Sequence, residues 1–203
     1  MVLRRLRKKI LPHWTDLWPD VVALARSIPT LHIGSGFQPI VGATTVDLNA
    51  CANPSIVWDL NKTPWPFADA SFDQVVALSI IEHLDDFLGV MGEIHRVSRP
   101  GAQVNILVPH FSSAAAYADP THKLYLSARS CDYFIVGTEI EKEYGFYVPY
   151  RFALERRVVQ LSGGLRLIPG AAWLANRCTA FWETYLCYLL RGGGIFWQLT
   201  TVK

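Results

Sequence analysis

No two cysteines in this 203-residue chain stand in a C-x-x-C arrangement, and the four present (Cys51, Cys131, Cys178, Cys187) build no dense framework. Their spacing predicts reduced, partly buried thiols in a cytoplasmic protein rather than a disulfide-stapled scaffold. A dominant charge is missing as well. The formal net charge is +2, so the chain as a whole has no nucleic-acid footprint. The apolar core of about 7–15 residues that defines a secretory signal is absent after the basic start, and no internal repeat is visible.

What is present points to a buried core. Hydrophobic residues make up 51% of the chain and charged residues 18%, a balance that excludes disorder. The length suits one domain of ordinary size. It divides into a basic helical extension (1–29), a ligand-binding half (30–110) and a substrate-side half (111–203). Residues 1–30 carry six Lys/Arg against two Asp/Glu. Five of those cations, Arg4, Arg5, Arg7, Lys8 and Lys9, alternate with apolar residues in 1–11. That segment reads either as a solvated helix face or as a weak contact with an anionic membrane surface.

The stretch Leu31 to Asp47 organises the chain. A short apolar strand (Leu31 to Ile33) is followed by the turn Gly34-Ser35-Gly36, and a second strand (Thr44 to Asp47) ends in a carboxylate. Glycines let backbone approach a ligand because no Cβ intervenes. A lone acid at the second strand tip is where α/β nucleotide-type sites grip ribose hydroxyls. A dinucleotide needs a third glycine and a helix N-terminus for its pyrophosphate. Here Pro39 takes that glycine's place, and only Phe37 to Val46 separate the turn from Asp47, room for about one helical turn against the 10–12 residues a full crossover needs. The spacing favours S-adenosylmethionine, which carries no phosphate.

The remaining chain reads as an alternation of strands and helices. A helix broken near Pro19 is expected over His13 to Ile28, and short strands over Ser55 to Trp58 and Gln103 to Val108. Pro64-Trp65-Pro66-Phe67 is a loop, because two prolines remove donors and fix φ. Phe72 to Leu78 is a continuous apolar run suited to a strand covered on both faces. A helix follows over Phe87 to Val97, and Pro100-Gly101 turns the chain. Pro109 to Lys123 is loop-like, Ser127 caps a helix to Phe134, and Glu139 to Glu143 is a polar connector. A strand is expected around Phe152 to Val159. A long aromatic helix, Ala171 to Leu190, then ends at Gly192 to Gly194, before a final strand over Ile195 to Val202. Arg177 and Glu183 inside that helix argue against a membrane span. Its aromatics (Trp173, Phe181, Trp182, Tyr185, Tyr188) form either core or an amphipathic face.

Five pieces in this order resemble the class I S-adenosylmethionine-dependent methyltransferases: His32-Ile-Gly-Ser-Gly, Val46-Asp47, Trp58-Asp59-Leu60, Ile81-Glu82-His83-Leu84, and the segment from Glu93 through Arg96 to Pro100-Gly101, with Pro66-Phe67-Ala-Asp-Ala-Ser-Phe-Asp73 beside them. The resemblance covers about residues 30–110. It implies an α/β, Rossmann-like three-layer sandwich around a seven-stranded, mostly parallel sheet with an antiparallel C-terminal strand. By position it implies that Gly34, Ser35 and Gly36 face the methionine part of the cofactor. Asp47, with Leu48 beside it, would hold the ribose hydroxyls. Asp59 would accept from the adenine amino group, Leu60 would offer its backbone N–H, and Ser79 and Ile80 would lie near the sulfonium methyl. This sequence departs from the pattern in having His32 for the usual acid, Gln38 at the third glycine position, Ala102 for the second of a glycine pair, and almost no helix after the turn. A short-loop bacterial subgroup shares that last feature.

The activity implied is methyl transfer to a small-molecule or glycan-like acceptor, on oxygen or nitrogen. The alternative is a degenerate fold that binds cofactor or partner without turnover, possibly at a membrane surface. A hydroxyl acceptor needs a base, and histidine is matched to neutral pH. His83, His110 and His122 are the candidates, with Asp119 to orient one of the last two. His110, Asp119 and His122 are also a ligand set that a divalent metal would accept, although Asp119-Pro120-Thr121 equally reads as turn chemistry. No metal site is assigned from the sequence.

Overall fold

A computed structural model describes residues 19–203. Helix α1 (Pro19–Leu24) precedes β1 (Thr30–Ile33), β2 (Thr44–Asp47), β3 (Ile56–Val57) and β4 (Phe72–Leu78). Helix α2 (Phe87–Val97) leads into β5 (Ser98–Pro109), followed by the short helices α3 (Ala114–Ala118) and α4 (Glu139–Tyr144). Strand β6 (Arg151–Leu161), helices α5 (Ala171–Arg177) and α6 (Thr179–Tyr185), and strand β7 (Gly192–Val202) complete the order. The basic segment 1–11 and the start of the helix expected over His13 to Ile28 lie outside the described residues.

The seven strands form one sheet in the order β3-β2-β1-β4-β5-β7-β6. Strands β1 to β5 pair in parallel, and β7 runs antiparallel to both neighbours. The α/β sheet with an antiparallel C-terminal strand is therefore as expected. After β1 the chain builds outward through β2 and β3, then returns to place β4 and β5 on the other side of β1. Such a reversal opens a crevice beyond the carboxyl ends of the two strands flanking it, here β1 and β4.

Alternation along the central strands assigns side chains to two faces. Val75 and Ala77 of β4 enter the larger apolar cluster with Leu31, Ile33, Met91, Ile94, Ile106 and Trp197. Val76 faces the other way, onto Val21, Ala25, Ile40 and Phe196. Both faces are thus apolar at β4, which is why its sequence lacks the alternation of a half-exposed strand. Helix α2 seats on the larger cluster through Val90, Met91, Ile94 and Val97, an i, i+1, i+4, i+7 stripe.

Five expectations need correction. Pro100-Gly101 does not end an element: Ser98 already pairs with Phe72, the register then jumps so that Gln103 meets Gln74, and Gly101 takes φ +76° inside the resulting bulge. The helix expected from Ser127 is only a 3-10 turn, Ser130–Tyr133, because the Ser127 and Ser130 hydroxyls take backbone N–H groups at Arg129 and Ser127 for themselves. The polar connector from Glu139 is α4, capped by Thr138 Oγ1 accepting from Glu141 N–H at 3.1 Å.

The long aromatic helix is two helices, broken at Cys178 (φ −121°, ψ 47°). Its anchor is Asn176, whose amide accepts from Val159 N–H at 2.7 Å and donates to Val159 C=O at 3.0 Å. Strand β6 is the sheet's edge, and this clasp satisfies backbone groups the edge leaves open. Trp182 is core and donates to Leu190 C=O, whereas Trp173, Phe181, Tyr185 and Tyr188 are exposed. Gly192 to Gly194 belong to β7 rather than to a helix end. Among the described residues no helix is long and apolar enough to cross a membrane.

Candidate functional site

Three adjoining clefts line the carboxyl edge of the sheet, where the strand reversal places them. The first, about 370 Å³, is bounded by His32, Gly34 to Gln38, Leu78, Ser79 and Leu107. The second, about 440 Å³, shares Ser79 and Leu107 with it and adds Glu82, His83, Pro109, Asp119 and His122. The third, about 240 Å³, shares Gly34 with the first and His83 with the second, and includes Asp47, Leu48, Trp58 to Asn61 and Ile80.

The turn after β1 is pinned to the tip of β2. Ser35 N–H donates to Val46 C=O at 3.2 Å. Asp47 Oδ2 accepts from Gly36 N–H at 2.7 Å, and its Oδ1 accepts from Asn49 N–H at 2.8 Å. Each carboxylate oxygen keeps a lone pair after those bonds, and Asp47 lines the third cleft. The two glycines serve different ends. Gly34 has φ +63°, and a Cβ there would lie 2.3 Å from the Ile80 side chain, so Ile80 and not a ligand fills that space. Gly36 has φ +47°, and among the described residues nothing lies within 4 Å of a Cβ position. It is Gly36 that opens onto the cleft.

Ser79 lies at the β4 tip with φ +49°, a left-handed conformation unusual outside glycine. It bounds both the first and second clefts. Asp59 bounds the third cleft, but its Oδ1 also accepts from Asn61 N–H at 3.1 Å. Leu60 is buried, while Leu48 is largely exposed.

His32 is buried under the first cleft, with Nδ1 accepting from Ile40 N–H at 3.3 Å. Burial lowers its pKa to about 4, against a smaller opposing pull from Asp47. Between about 4 and 6.5 the unfolded chain binds the proton that the folded chain refuses. Stability is therefore full above that window and declines as pH falls through it, by about 3 kcal/mol for this residue. Urea unfolding across the window should show that decline, and His32→Gln should flatten the slope. Equal slopes for both proteins would remove the assignment.

The three candidate bases and Asp119 separate. His83 and His122 meet edge to face with centroids 4.6 Å apart, and Asp119 joins them through Thr121. Thr121 Oγ1 donates to Asp119 Oδ1 at 2.7 Å and lies 2.9 Å from His83 Nδ1. His110 does not join them. It is completely buried, with Nδ1 accepting from Ser112 N–H at 3.1 Å and Nε2 3.1 Å from Glu183 Oε1. Its ring packs on Phe111 and Trp182 and bounds none of the three clefts. Sequence reasoning placed it at the right strand end, but its side chain ties β5 to α6. Asp119 consequently serves His83, through Thr121, rather than His110 or directly His122.

Glu82 takes the place beside the two remaining histidines. It is 1% exposed, and its Oε2 has no hydrogen-bond partner among the described residues. Burial raises its pKa to about 7, opposed by hydrogen bonding to backbone and Ser79 and by nearby His122. The signal that could have found it is the Glu-His pair itself: within a 3-10 turn, Ile81–His83, both side chains reach the same cleft.

Whether these residues fit S-adenosylmethionine is answered by three features. The first two are the open space at Gly36 and the spare acceptor capacity of Asp47. The third is Ser35 Oγ, which is buried beside the first cleft without a partner among the described residues. All three fit a ligand with an amino-acid end, a ribose and no phosphate.

Comparison with known proteins agrees. Residues 43–106 match the family described as "Methyltransferase domain". A demethylmenaquinone methyltransferase of Tropheryma whipplei is 29% identical over 72 residues, which are 36% of this chain and 29% of the relative. The chain thus matches less than a third of that relative's length. Among solved structures, an S-adenosylmethionine-dependent methyltransferase from Archaeoglobus fulgidus superposes with a TM-score of 0.55 at 14% identity, covering 98% of this chain and 99% of that one. The [4+2]-cyclase SpnF superposes with a TM-score of 0.57 at 13% identity, covering 93% and 80%. At such identities the likeness is one of fold.

Proposed function

We propose that this chain, which groups by fold and by its matched segment with the class I S-adenosylmethionine-dependent methyltransferases, transfers a methyl group from S-adenosylmethionine to a hydroxyl or amine of a small-molecule or glycan-like acceptor. The observation that carries the reading is Asp47: an anionic strand tip, anchored by Gly36 and Asn49, at the rim of clefts on the sheet's carboxyl edge.

In this reading the third cleft takes the adenosine. Asp47 accepts from the ribose hydroxyls, Asp59 from the adenine amino group, Leu60 donates its backbone N–H, and Leu48 covers the sugar. The turn Gly34-Ser35-Gly36 in the first cleft holds the methionine end, with the unpartnered Ser35 hydroxyl available to its polar groups. Ser79 and Ile80 border the passage to the second cleft, which takes the acceptor. The cofactor supplies an electrophilic methyl carbon on a positively charged sulfur. The protein's part is alignment of the acceptor and removal of its proton. Glu82, His83 and His122 surround the place where that proton is lost.

Incubating the full chain with S-adenosylmethionine and panels of hydroxyl and amine acceptors tests this. The expected result is acceptor-dependent S-adenosylhomocysteine, with one acceptor gaining the mass of a methylene group. Absence of any calorimetric binding of either cofactor form would overturn the reading.

A further inference from the structure

Glu82, His83 and His122 each present one ligand atom, and the three atoms lie within 4.8 Å of one another. Hydrogen bonding fixes which atoms those are. Thr121 Oγ1 spends its single hydrogen on Asp119 Oδ1. Towards His83 Nδ1, 2.9 Å away, it can therefore only accept, so the ring carries its proton on Nδ1. His122 Nδ1 is 2.9 Å from Ala116 C=O, and a carbonyl can only accept, so that ring is protonated on Nδ1 too. Both Nε2 atoms keep free lone pairs. Each imidazole thus has the hydrogen-bonded outer nitrogen that metal-ligating histidines characteristically show, one through a hydroxyl and carboxylate and one through a backbone carbonyl. The third ligand atom is available for a different reason: Glu82 is buried, and its Oε2 has no partner among the described residues.

From this we infer that Glu82 Oε2, His83 Nε2 and His122 Nε2 form a divalent transition-metal site in the second cleft, with Thr121, Asp119 and Ala116 as positioning residues. Two imidazoles and one carboxylate suit Zn²⁺, Mn²⁺ or Fe²⁺ better than Mg²⁺, which favours oxygen ligands throughout. Three protein ligands would leave coordination positions for water or an acceptor, in a cleft that Ser79 also lines. The role of the ion, unlike its binding, rests on the function proposed above. An acceptor hydroxyl bound to it ionises more readily. The hydroxyl proton passes to solvent, the oxygen's electron pair forms the new C–O bond, and the C–S bonding pair returns to sulfur as a neutral thioether. The sequence-level trio with His110 does not assemble, since His110 is held by Glu183.

Zinc titration of the untagged, chelator-treated full chain, read by calorimetry without cofactor, is the direct test. One site per chain is expected, weakened at least about 100-fold in Glu82→Gln and in His122→Gln. Thr121→Val removes only the positioning partner of His83 and should weaken it about 10-fold. Circular dichroism establishes that each variant is folded; should Glu82→Gln fail to fold, His122→Gln and Thr121→Val decide. Substoichiometric binding, or affinity unchanged in the folded variants, overturns the site. Because no cofactor is present, failure of methyl transfer leaves this result standing. Conversely, acceptor methylation undiminished by chelator, with no zinc bound, rejects the metal and keeps the proposed activity.

Discussion

Asp47→Ala should weaken S-adenosylhomocysteine binding by about 100-fold or more. Two ribose hydroxyls donating to an ionised acceptor contribute about 1.5–3 kcal/mol each, and every 1.4 kcal/mol is about tenfold in affinity. The carboxylate has a second duty, since it also accepts from Gly36 and Asn49 N–H, and alanine frees both donors. Asp47→Asn separates the two effects. Its amide oxygen can still serve one backbone donor, so the fold should melt within a few degrees of the parent while affinity falls by about tenfold. Calorimetry beside thermal unfolding reads both quantities. Affinity retained in Asp47→Ala would take the ribose away from this strand tip and dissolve the assignment of the third cleft.

The largest expected effect on stability is at Arg96. Its guanidinium donates to both oxygens of Glu93, from Nε at 2.7 Å and Nη2 at 2.8 Å, and also to Phe67 C=O, Trp65 C=O and Asp69. Glu93 Oε2 additionally accepts from Trp65 N–H at 2.6 Å. The network straps the proline-broken loop around Pro64–Asp69 onto α2 and closes over the buried Trp65 ring. Burial works against the Glu93 charge, but Arg96 and the Trp65 N–H outweigh it and hold the carboxyl below its ordinary pKa. Arg96→Ala strands that charge. A buried partner left unpaired costs about 3–5 kcal/mol, equivalent to a fall of roughly 10 °C in melting temperature for a domain of this size. Arg96→Lys should recover little, because a point charge cannot make the forked contact. Chemical unfolding that finds Arg96→Ala within about 1 kcal/mol of the parent, the range of a surface pair, would show that the strap is decorative.

Where sequence patterns are local and apolar, they were readable. β2, β4 and α2 have the bounds their patterns predicted, because a β-branched run between turn residues and an apolar stripe at helical spacing leave few alternatives. Local reading failed where a distant partner decided the outcome. The Asn176 amide finds the open edge of β6 and goes with a break in a helix whose composition gives no warning. Pro100-Gly101 looks like a turn, yet pairing of Ser98 with Phe72 absorbs it into β5 as a bulge.

The same division runs through the site. Asp47 was legible because a strand ending in a carboxylate beside a glycine turn is a contiguous pattern, and parallel pairing of β1 with β2 follows from it. His110 and Glu82 were not. Both flank strand ends on the ligand side of the sheet, and sequence alone gives them similar claims. Glu183 lies 73 residues beyond His110, and its carboxylate draws that imidazole into the core. Ala116 in α3 and Thr121 just after it belong to a segment that folds back over the turn after β4, and their acceptors orient His83 and His122 beside Glu82. Residue order determined the sheet, its reversal and the anionic strand tip, because short-range periodicity and turn geometry dictate them. Which imidazoles face the cleft was decided by hydrogen-bond acceptors brought from elsewhere in the chain, since a histidine's direction is set by its partner's position in space.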